Sequence, residues 1–127
     1  PGKKCYCGRT GCLETFISGP AIEREFNNLH GKNLNMKNIV KESGAGNFKA
    51  EQTIRNFEDR LARALAHVIN ILDPDSIVLG GGLSNIDRLY SNVPKIWAEY
   101  IFSDDVSTVL SKARFGDSSG VRGAAWL

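Results

Sequence analysis

All three cysteines of the 127-residue chain, Cys5, Cys7 and Cys12, lie within eight consecutive positions near its amino terminus. Gly8 and Gly11 follow the second cysteine and allow the backbone to fold back tightly. Three thiolates brought together in this way can bind one soft cation such as Zn²⁺. An odd number of cysteines does not suit a disulfide framework. The spacing therefore predicts a zinc-binding loop over residues 4–14, with reduced thiols that hold no metal as the alternative.

A fourth zinc ligand is not evident in the sequence. The chain has two histidines, His30 and His67. His30 ends a predicted helix that would carry it about 25 Å from the cysteines, whereas a zinc–nitrogen bond is about 2 Å long. Either the fourth ligand lies upstream of Pro1, or the site is open. Both histidines are expected to be surface or helix-terminal residues and not catalysts.

Composition and charge exclude several classes of protein. The chain is 42% hydrophobic and 24% charged, as is typical of globular proteins, and its net charge of +2 is too small to indicate nucleic-acid binding. It has no apolar run long enough to span a membrane and no cleavable leader, which predicts a cytoplasmic protein without a membrane partner. Because the chain begins with Pro1 and its one methionine is Met36, we expect a processed or subcloned piece.

Hydrophobic periodicity predicts an α/β fold. Apolar residues recur at helical spacing in several segments, two short segments read as strands, and the first helix is expected to break at Ser18-Gly19 so that Pro20 starts a new one. Asn35 is predicted to cap a helix, and Pro94 is expected to divide the predicted helix over residues 85–101. Because the sequence predicts two strands, we expect the sheet to have an unpaired edge through which the chain self-associates. The predicted helices cover residues 13–29, 35–41, 49–72, 85–101 and from 121 onward, and the strands 77–79 and 107–114.

A run of three glycines, Gly80, Gly81 and Gly82, follows the predicted buried strand 77–79. Ser84 and Asp87 after it resemble a capping box at the start of a helix. Ligands of open α/β sheets bind beyond the carboxyl ends of strands, and glycines let a ligand approach the backbone. The spacing is not that of a Walker loop. A nucleotide contact and a tight structural turn are both consistent with the run.

Glu14 stands two residues after the last cysteine, where the loop meets a predicted helix. A carboxylate held at this position could accept hydrogen bonds from substrate hydroxyls. The alternative is a favourable charge in the first turn of a helix. The residues alone favour the second interpretation.

Three segments together resemble the carboxyl-terminal part of a ROK (repressor, open reading frame, kinase) sugar kinase, and among these enzymes the chain is most similar to bacterial fructokinases. The first segment runs from Cys5 to Glu14 and is followed by Ser18-Gly19. The other two are residues 72–84, which include the glycine run, and residues 116–125. The resemblance extends over essentially all 127 residues.

The resemblance implies part of the carboxyl-terminal lobe of an actin-like ATPase, built from ribonuclease-H-like lobes with ATP and sugar between them. It divides residues 1–127 into a zinc loop (4–14), a helical region (15–72) and an adenosine-binding strand and loop with the final α/β elements (73–127). It implies structural Zn²⁺, ATP and Mg²⁺ as cofactors, no catalytic residue in this chain, and a homodimer. The implied ligands are Cys5, Cys7, Cys12 and an upstream histidine for zinc, Glu14 for sugar hydroxyls, and Gly80, Gly81 and Gly82 for adenosine.

We therefore expect the intact protein to phosphorylate a hexose with ATP, as a fructokinase does, and this chain to be inactive by itself. One alternative is the sugar-sensing lobe of a ROK transcriptional repressor, which a helix-turn-helix upstream would reveal. A second is an N-acetyl amino-sugar kinase of the same family. Sugar and ATP are the expected partners, without nucleic acid.

Overall fold

The computed structural model describes residues 2–116 and 118–126; Pro1, Asp117 and Leu127 lie outside this range. The chain divides into two compact units, one up to Arg60 and one from Leu61 onward, so that the boundary falls within a long helix. Along the chain the elements are α1 (Glu14–Ile17), α2 (Gly19–His30), α3 (Met36–Gly44), α4 (Phe48–Leu72), β1 (Ser76–Leu79), a 3-10 helix (Gly82–Asn85), α5 (Leu89–Trp97), β2 (Val109–Lys112) and α6 (Ser119–Ala124).

Helix ends in the first unit follow the local sequence signals. The Ser18 hydroxyl accepts a hydrogen bond from the Ala21 amide at the start of α2. The predicted break before Pro20 is confirmed, but α2 begins one residue earlier than predicted, at Gly19. Gly31 has a left-handed backbone with φ 60° and ends this helix. The Asn35 side chain caps α3 by accepting from the Asn38 amide at 3.0 Å. These caps fix where α2 and α3 begin and where α2 ends.

The first unit has a core formed by α2, α3 and the first half of α4. Phe26, Ile39 and Ile54 are fully buried, and Phe57 is 2% exposed. Burial of an apolar side chain of this size contributes about 1.5–3 kcal/mol. This core holds α2 and the first half of α4 in place, and Glu25 of α2 contacts both Lys3, next to the cysteine loop, and Arg60 of α4. None of the described helices is long and apolar enough to cross a membrane.

The second unit is built on a parallel pair of strands, in which Ile77 of β1 lies opposite Leu110 of β2. Helix α5 packs against β2 and buries Leu89, Val93 and Trp97 at four-residue intervals. Parallel strands place their carboxyl ends at the same edge of a sheet. The glycine run after β1 and the loop after β2 therefore leave the sheet side by side, and the Ala113 amide donates to the Leu79 carbonyl at 3.0 Å.

Four predictions for the second unit are wrong. β1 was expected to be buried, but Val78 is 60% exposed because its side of the strand is not covered within the described residues. The helix expected from residue 85 begins instead at Leu89, and Pro94 lies inside it and does not divide it. Ser84 does not cap this helix, since its hydroxyl donates backward to the Gly81 carbonyl at 2.7 Å.

Candidate functional site

The cysteine loop is closed by backbone hydrogen bonds. The Cys5 amide donates to the Arg9 carbonyl at 2.8 Å, and the Gly11 amide donates to the Lys3 carbonyl at 3.0 Å. Lys4 and Thr10 form an antiparallel bridge between these two bonds. Gly8 and Gly11 have φ values of 85° and 76°, where a side chain would be strained. The two glycines thus allow the tight reversal that the spacing of the cysteines indicates.

The three cysteine sulfurs converge at one end of this loop. The Sγ atoms of Cys5, Cys7 and Cys12 all lie within 4.8 Å of one another, and those of Cys7 and Cys12 are 3.6 Å apart. Sulfur ligands of a tetrahedral zinc ion with bonds of about 2.3 Å lie about 3.8 Å apart. The donor set and its spacing therefore fit a zinc ion. Among the described residues no histidine, aspartate or glutamate joins the cluster.

The thiols of this cluster influence one another electrostatically. The backbone amide of Arg9, followed by the side chains of Cys5 and Cys12, lowers the pKa of Cys7. The side chains of Cys7 and Cys5 raise the pKa of Cys12 to about 11. The first thiolate to form in this cluster thus disfavours the next, since like charges repel at this distance. A divalent cation bound to all three sulfurs would remove this penalty.

A short turn joins the cluster to Glu14. The backbone amide and the hydroxyl of Thr15 both donate to the carbonyl oxygen of Cys12, at 2.9 and 2.7 Å. Thr15 is 7% exposed, whereas Glu14, the first residue of α1, is exposed. Because Glu14 lies between the two residues that make these bonds, the backbone that carries its carboxylate is fixed to Cys12. The turn thus presents an acidic group to solvent directly beside the cysteine cluster.

The glycine run forms an open surface at the carboxyl end of β1. Gly80, Gly81 and Gly82 are exposed, and a Cβ atom added at any of them would have no neighbour within 4 Å. Gly81 has a φ of 77° and thus requires glycine. A flat ligand could lie against this backbone, as expected for a nucleotide contact.

Two consecutive hydrogen bonds, from Ser84 and Tyr90, hold the backbone of the glycine run. The Ser84 hydroxyl donates to the Gly81 carbonyl, and the Tyr90 hydroxyl donates to the Ser84 carbonyl, both at 2.7 Å. Ser84 is 1% exposed. Burial raises the pKa of Tyr90 above its usual value, and a phenol is protonated at neutral pH in any case. The role of Tyr90 is not visible in the sequence, because a tyrosine six residues after a serine follows no known motif.

The two histidines belong neither to the cysteine cluster nor to the glycine run. The His30 ring packs edge-on against Phe26, with centroids 4.8 Å apart, at the end of α2. His67 Nδ1 is 2.7 Å from the Arg63 carbonyl oxygen within α4. Each histidine thus interacts locally within its own helix, and the expectation that neither is a catalyst stays a prediction.

These features describe an α/β protein with a loop in which three cysteine sulfurs converge, an acidic residue next to this loop, and an open glycine run after a parallel strand. The model of the ROK family matches residues 1–127. The chain therefore belongs to the ROK family.

Named relatives and solved structures make the comparison more specific. The chain is 39% identical, over 97% of its length, to an N-acetyl-D-glucosamine kinase of Photobacterium profundum. It spans about two fifths of the curated relatives that it matches, 41% in this case. The crystal structure of a ROK hexokinase from Thermus thermophilus superposes with a TM-score of 0.84 at 28% identity, over 98% of this chain and 44% of that one. The crystal structure of a ROK family transcriptional regulator, a homolog of the E. coli MLC protein, superposes with a TM-score of 0.80 at 26% identity. The match covers 98% of this chain and 34% of that one.

Proposed function

We propose that this chain is the carboxyl-terminal part of an ATP-dependent kinase that phosphorylates an N-acetylated amino sugar. The observation that carries the proposal is the 39% identity, along nearly the whole chain, to a relative named N-acetyl-D-glucosamine kinase. This favours the amino-sugar alternative over the fructokinase interpretation of the sequence. A relative from Mannheimia succiniciproducens that carries the same name is 41% identical over 97% of the chain.

The first unit would bind the sugar. Glu14 is exposed, and the bonds from Thr15 to Cys12 fix its backbone. An ionised carboxylate accepts short, strong hydrogen bonds from hydroxyl groups. Two sugar hydroxyls could therefore bind to its two oxygens, which would orient the sugar before reaction. In this proposal Cys5, Cys7 and Cys12 hold a structural zinc ion, which supplies a rigid crosslink across the loop.

The second unit would bind the nucleotide. The exposed backbone at Gly80, Gly81 and Gly82 leaves space for the adenosine of ATP. The bonds from Ser84 and Tyr90 hold this backbone in the conformation that Gly81 requires. A preformed contact of this kind reduces the entropy that binding costs.

In the reaction, a sugar hydroxyl oxygen forms a bond to the γ-phosphorus of ATP while the bond from that phosphorus to the bridging oxygen of ADP breaks. The hydroxyl proton passes to a general base, which this proposal places outside the chain, as the family resemblance implies. Phosphoryl transfer depends mainly on positioning and charge stabilisation. Mg²⁺ supplies charge neutralisation on the phosphate oxygens. This chain's contribution is to orient the two substrates.

The test is a panel of sugars with ATP and Mg²⁺, given to the intact kinase that contains this chain. ADP formation is followed with N-acetylglucosamine, N-acetylmannosamine, glucose and fructose. We expect the highest kcat/KM with an N-acetylated sugar. A preference for fructose would restore the fructokinase interpretation and contradict the proposal.

The second candidate is the sugar-sensing lobe of a transcriptional repressor, which the likeness to a ROK regulator at a TM-score of 0.80 favours. Such a protein would bind an operator sequence and release it with sugar, and would form no ADP. Sugar-dependent DNA binding without ADP formation would support this candidate. The homodimer, the cytoplasmic location and the absence of a nucleic-acid partner stay predictions.

A further inference from the structure

Glu25 of α2 joins the cysteine loop to two helices. Its carboxylate accepts hydrogen bonds from Arg60 Nη1 at 3.0 Å and Nη2 at 2.7 Å, so this pair is bidentate. It also accepts one from Lys3 Nζ. The Glu25 side chain is 22% exposed, and that of Arg60 is 29% exposed. Paired charges that are partly shielded from water, in bidentate geometry, hold their partners more strongly than exposed single contacts.

Lys3 lies at the neck of the cysteine loop. Its carbonyl accepts the Gly11 amide at 3.0 Å, which closes the loop. Behind this bond Gly2 packs against Gly11 so tightly that a Cβ atom at Gly2 would lie 2.3 Å from the Gly11 Cα. The Lys3 ammonium group also lies 5.4 Å from the centroid of the Phe16 ring in α1. The backbone of Lys3 thus belongs to the loop, while its side chain fixes the loop to α2.

We propose that Glu25 is a positioning residue for the sugar site, because it holds Lys3, and through Lys3 the cysteine loop, in a fixed place on α2 and α4. The inference rests on the proposed function. It assigns a role to a residue that makes no contact with a sulfur or with the proposed sugar ligand.

The chain of contacts leads from the helices to Glu14. Arg60 holds Glu25, Glu25 holds Lys3, and the bond between Lys3 and Gly11 closes the loop next to Cys12. Thr15 then fixes the Cys12 carbonyl, and Glu14 lies between these two residues. Without the Glu25 charge, the neck of the loop would lose its ion pair to α2 and would keep its backbone bonds and the weaker contact of Lys3 with the Phe16 ring. The sulfurs and the Glu14 carboxylate would then sample a wider range of positions.

Two measurable effects follow from a loosened loop. Zinc would dissociate faster, because outer groups that orient metal ligands typically change affinity by about 10- to 100-fold. The KM for the sugar would rise by about tenfold, since small displacements of positioning groups have effects of this order. The KM for ATP would change by less than about twofold, because a loosened cysteine loop leaves the hydrogen bonds of the glycine run intact.

The experiment compares Glu25→Gln with Lys3→Met and the double variant in the intact kinase. Zinc release to a coloured chelator and the kinetic constants for both substrates are measured. Glu42→Gln is the matched control, since Glu42 pairs with Lys32 at 3.0 Å in the same unit and away from the loop. We expect both single variants to release zinc faster and raise the sugar KM, and the double variant to add little to either single change.

Two results would overturn the proposed role of Glu25. Unchanged zinc release and sugar KM in Lys3→Met would overturn the proposal, and this variant should fold because Lys3 is 47% exposed. If Glu42→Gln changed zinc release and the sugar KM as much as Glu25→Gln does, the effect of Glu25 would be one of general stability. This result would also overturn the proposal. If the wild-type protein phosphorylates no sugar, the proposed function fails. Zinc release and the non-additivity of the two variants would still test how Glu25 holds the loop.

Discussion

Replacing Glu25 by glutamine should make the stability of the protein less sensitive to acid. The hydrogen bonds from Arg60, followed by those from Lys3, lower the pKa of Glu25 from its usual value of 4.5 to about 2, against the opposing effect of burial. A carboxyl group with a lowered pKa in the folded state stabilises that state above its unfolded pKa. This stabilisation is lost as the pH falls from about 4.5 toward 2.

The size of this effect follows from the displacement of the pKa. A difference of about 2.5 between 4.5 and 2 corresponds to an upper bound of about 3.4 kcal/mol, at about 1.36 kcal/mol for each pKa unit. Since the Glu25 side chain is still 22% exposed, solvent screening reduces the expected contribution to about 1–2 kcal/mol. Glu25→Gln should therefore lower the free energy of unfolding by this amount at neutral pH.

The assay is urea unfolding followed by circular dichroism, for the wild-type protein and the variant, at about pH 7 and about pH 3. The difference between the two proteins at the lower pH should be less than half of that at neutral pH. Glu42→Gln, which removes a more exposed pair, should cost less than about 1 kcal/mol. A difference between wild type and Glu25→Gln that stays the same at both pH values would refute the reasoning.

Three further predictions concern the two proposed binding features. Glu14→Gln removes a charged acceptor of hydrogen bonds that are worth about 1.5–3 kcal/mol, so the sugar kcat/KM in steady-state assays should fall about 10- to 100-fold. An unchanged value would exclude Glu14 from sugar binding. Tyr90→Phe removes the hydroxyl that donates to Ser84 and should raise the KM for ATP about fivefold, from a loss of about 1 kcal/mol, while the sugar KM stays constant. Equal effects on both constants would argue against a nucleotide role. Cys7→Ser should weaken zinc binding more than about 100-fold in chelator competition, and retention of wild-type affinity would exclude Cys7 as a ligand.

Features that depend on local hydrogen bonds could be predicted from the sequence. Ser18 and Asn35 cap their helices, and Gly31 ends α2, because the groups that satisfy a helix end lie within four residues of it. The convergence of the three sulfurs also follows from short spacing and two glycines, whereas the zinc ion itself stays a prediction. The Thr15 bonds to Cys12 have a local signal as well, since a threonine three residues after a carbonyl commonly bonds back to it.

The errors arise where packing decides between local alternatives. Pro94 deprives α5 of one helical hydrogen bond, but the burial of Leu89, Val93 and Trp97 along one face keeps the helix continuous. Ser84 matches a capping box, yet its hydroxyl finds the nearer Gly81 carbonyl within the 3-10 turn. A sequence pattern does not show which of two acceptors within reach of a hydroxyl is closer.

The role of Glu25 could not be predicted because its partners are distant in the sequence. Lys3 is 22 residues away and Arg60 is 35 residues away, and no periodic pattern connects charges at such separations. On a helical projection Glu25 is one of several charged residues at the edge of an apolar face. The packing of α2 with α4 brings Glu25 next to Arg60, and the fold of the cysteine loop brings Lys3 to it.

The sugar preference of the intact kinase tests the central claim most directly. Equal concentrations of N-acetylglucosamine and fructose would be offered together with limiting ATP, and the two sugar phosphates separated by mass spectrometry. If the chain is part of an amino-sugar kinase, the phosphate of N-acetylglucosamine should be the main product, and Glu14→Gln should reduce it. Fructose phosphate as the main product, or no sugar phosphate at all, would contradict the account.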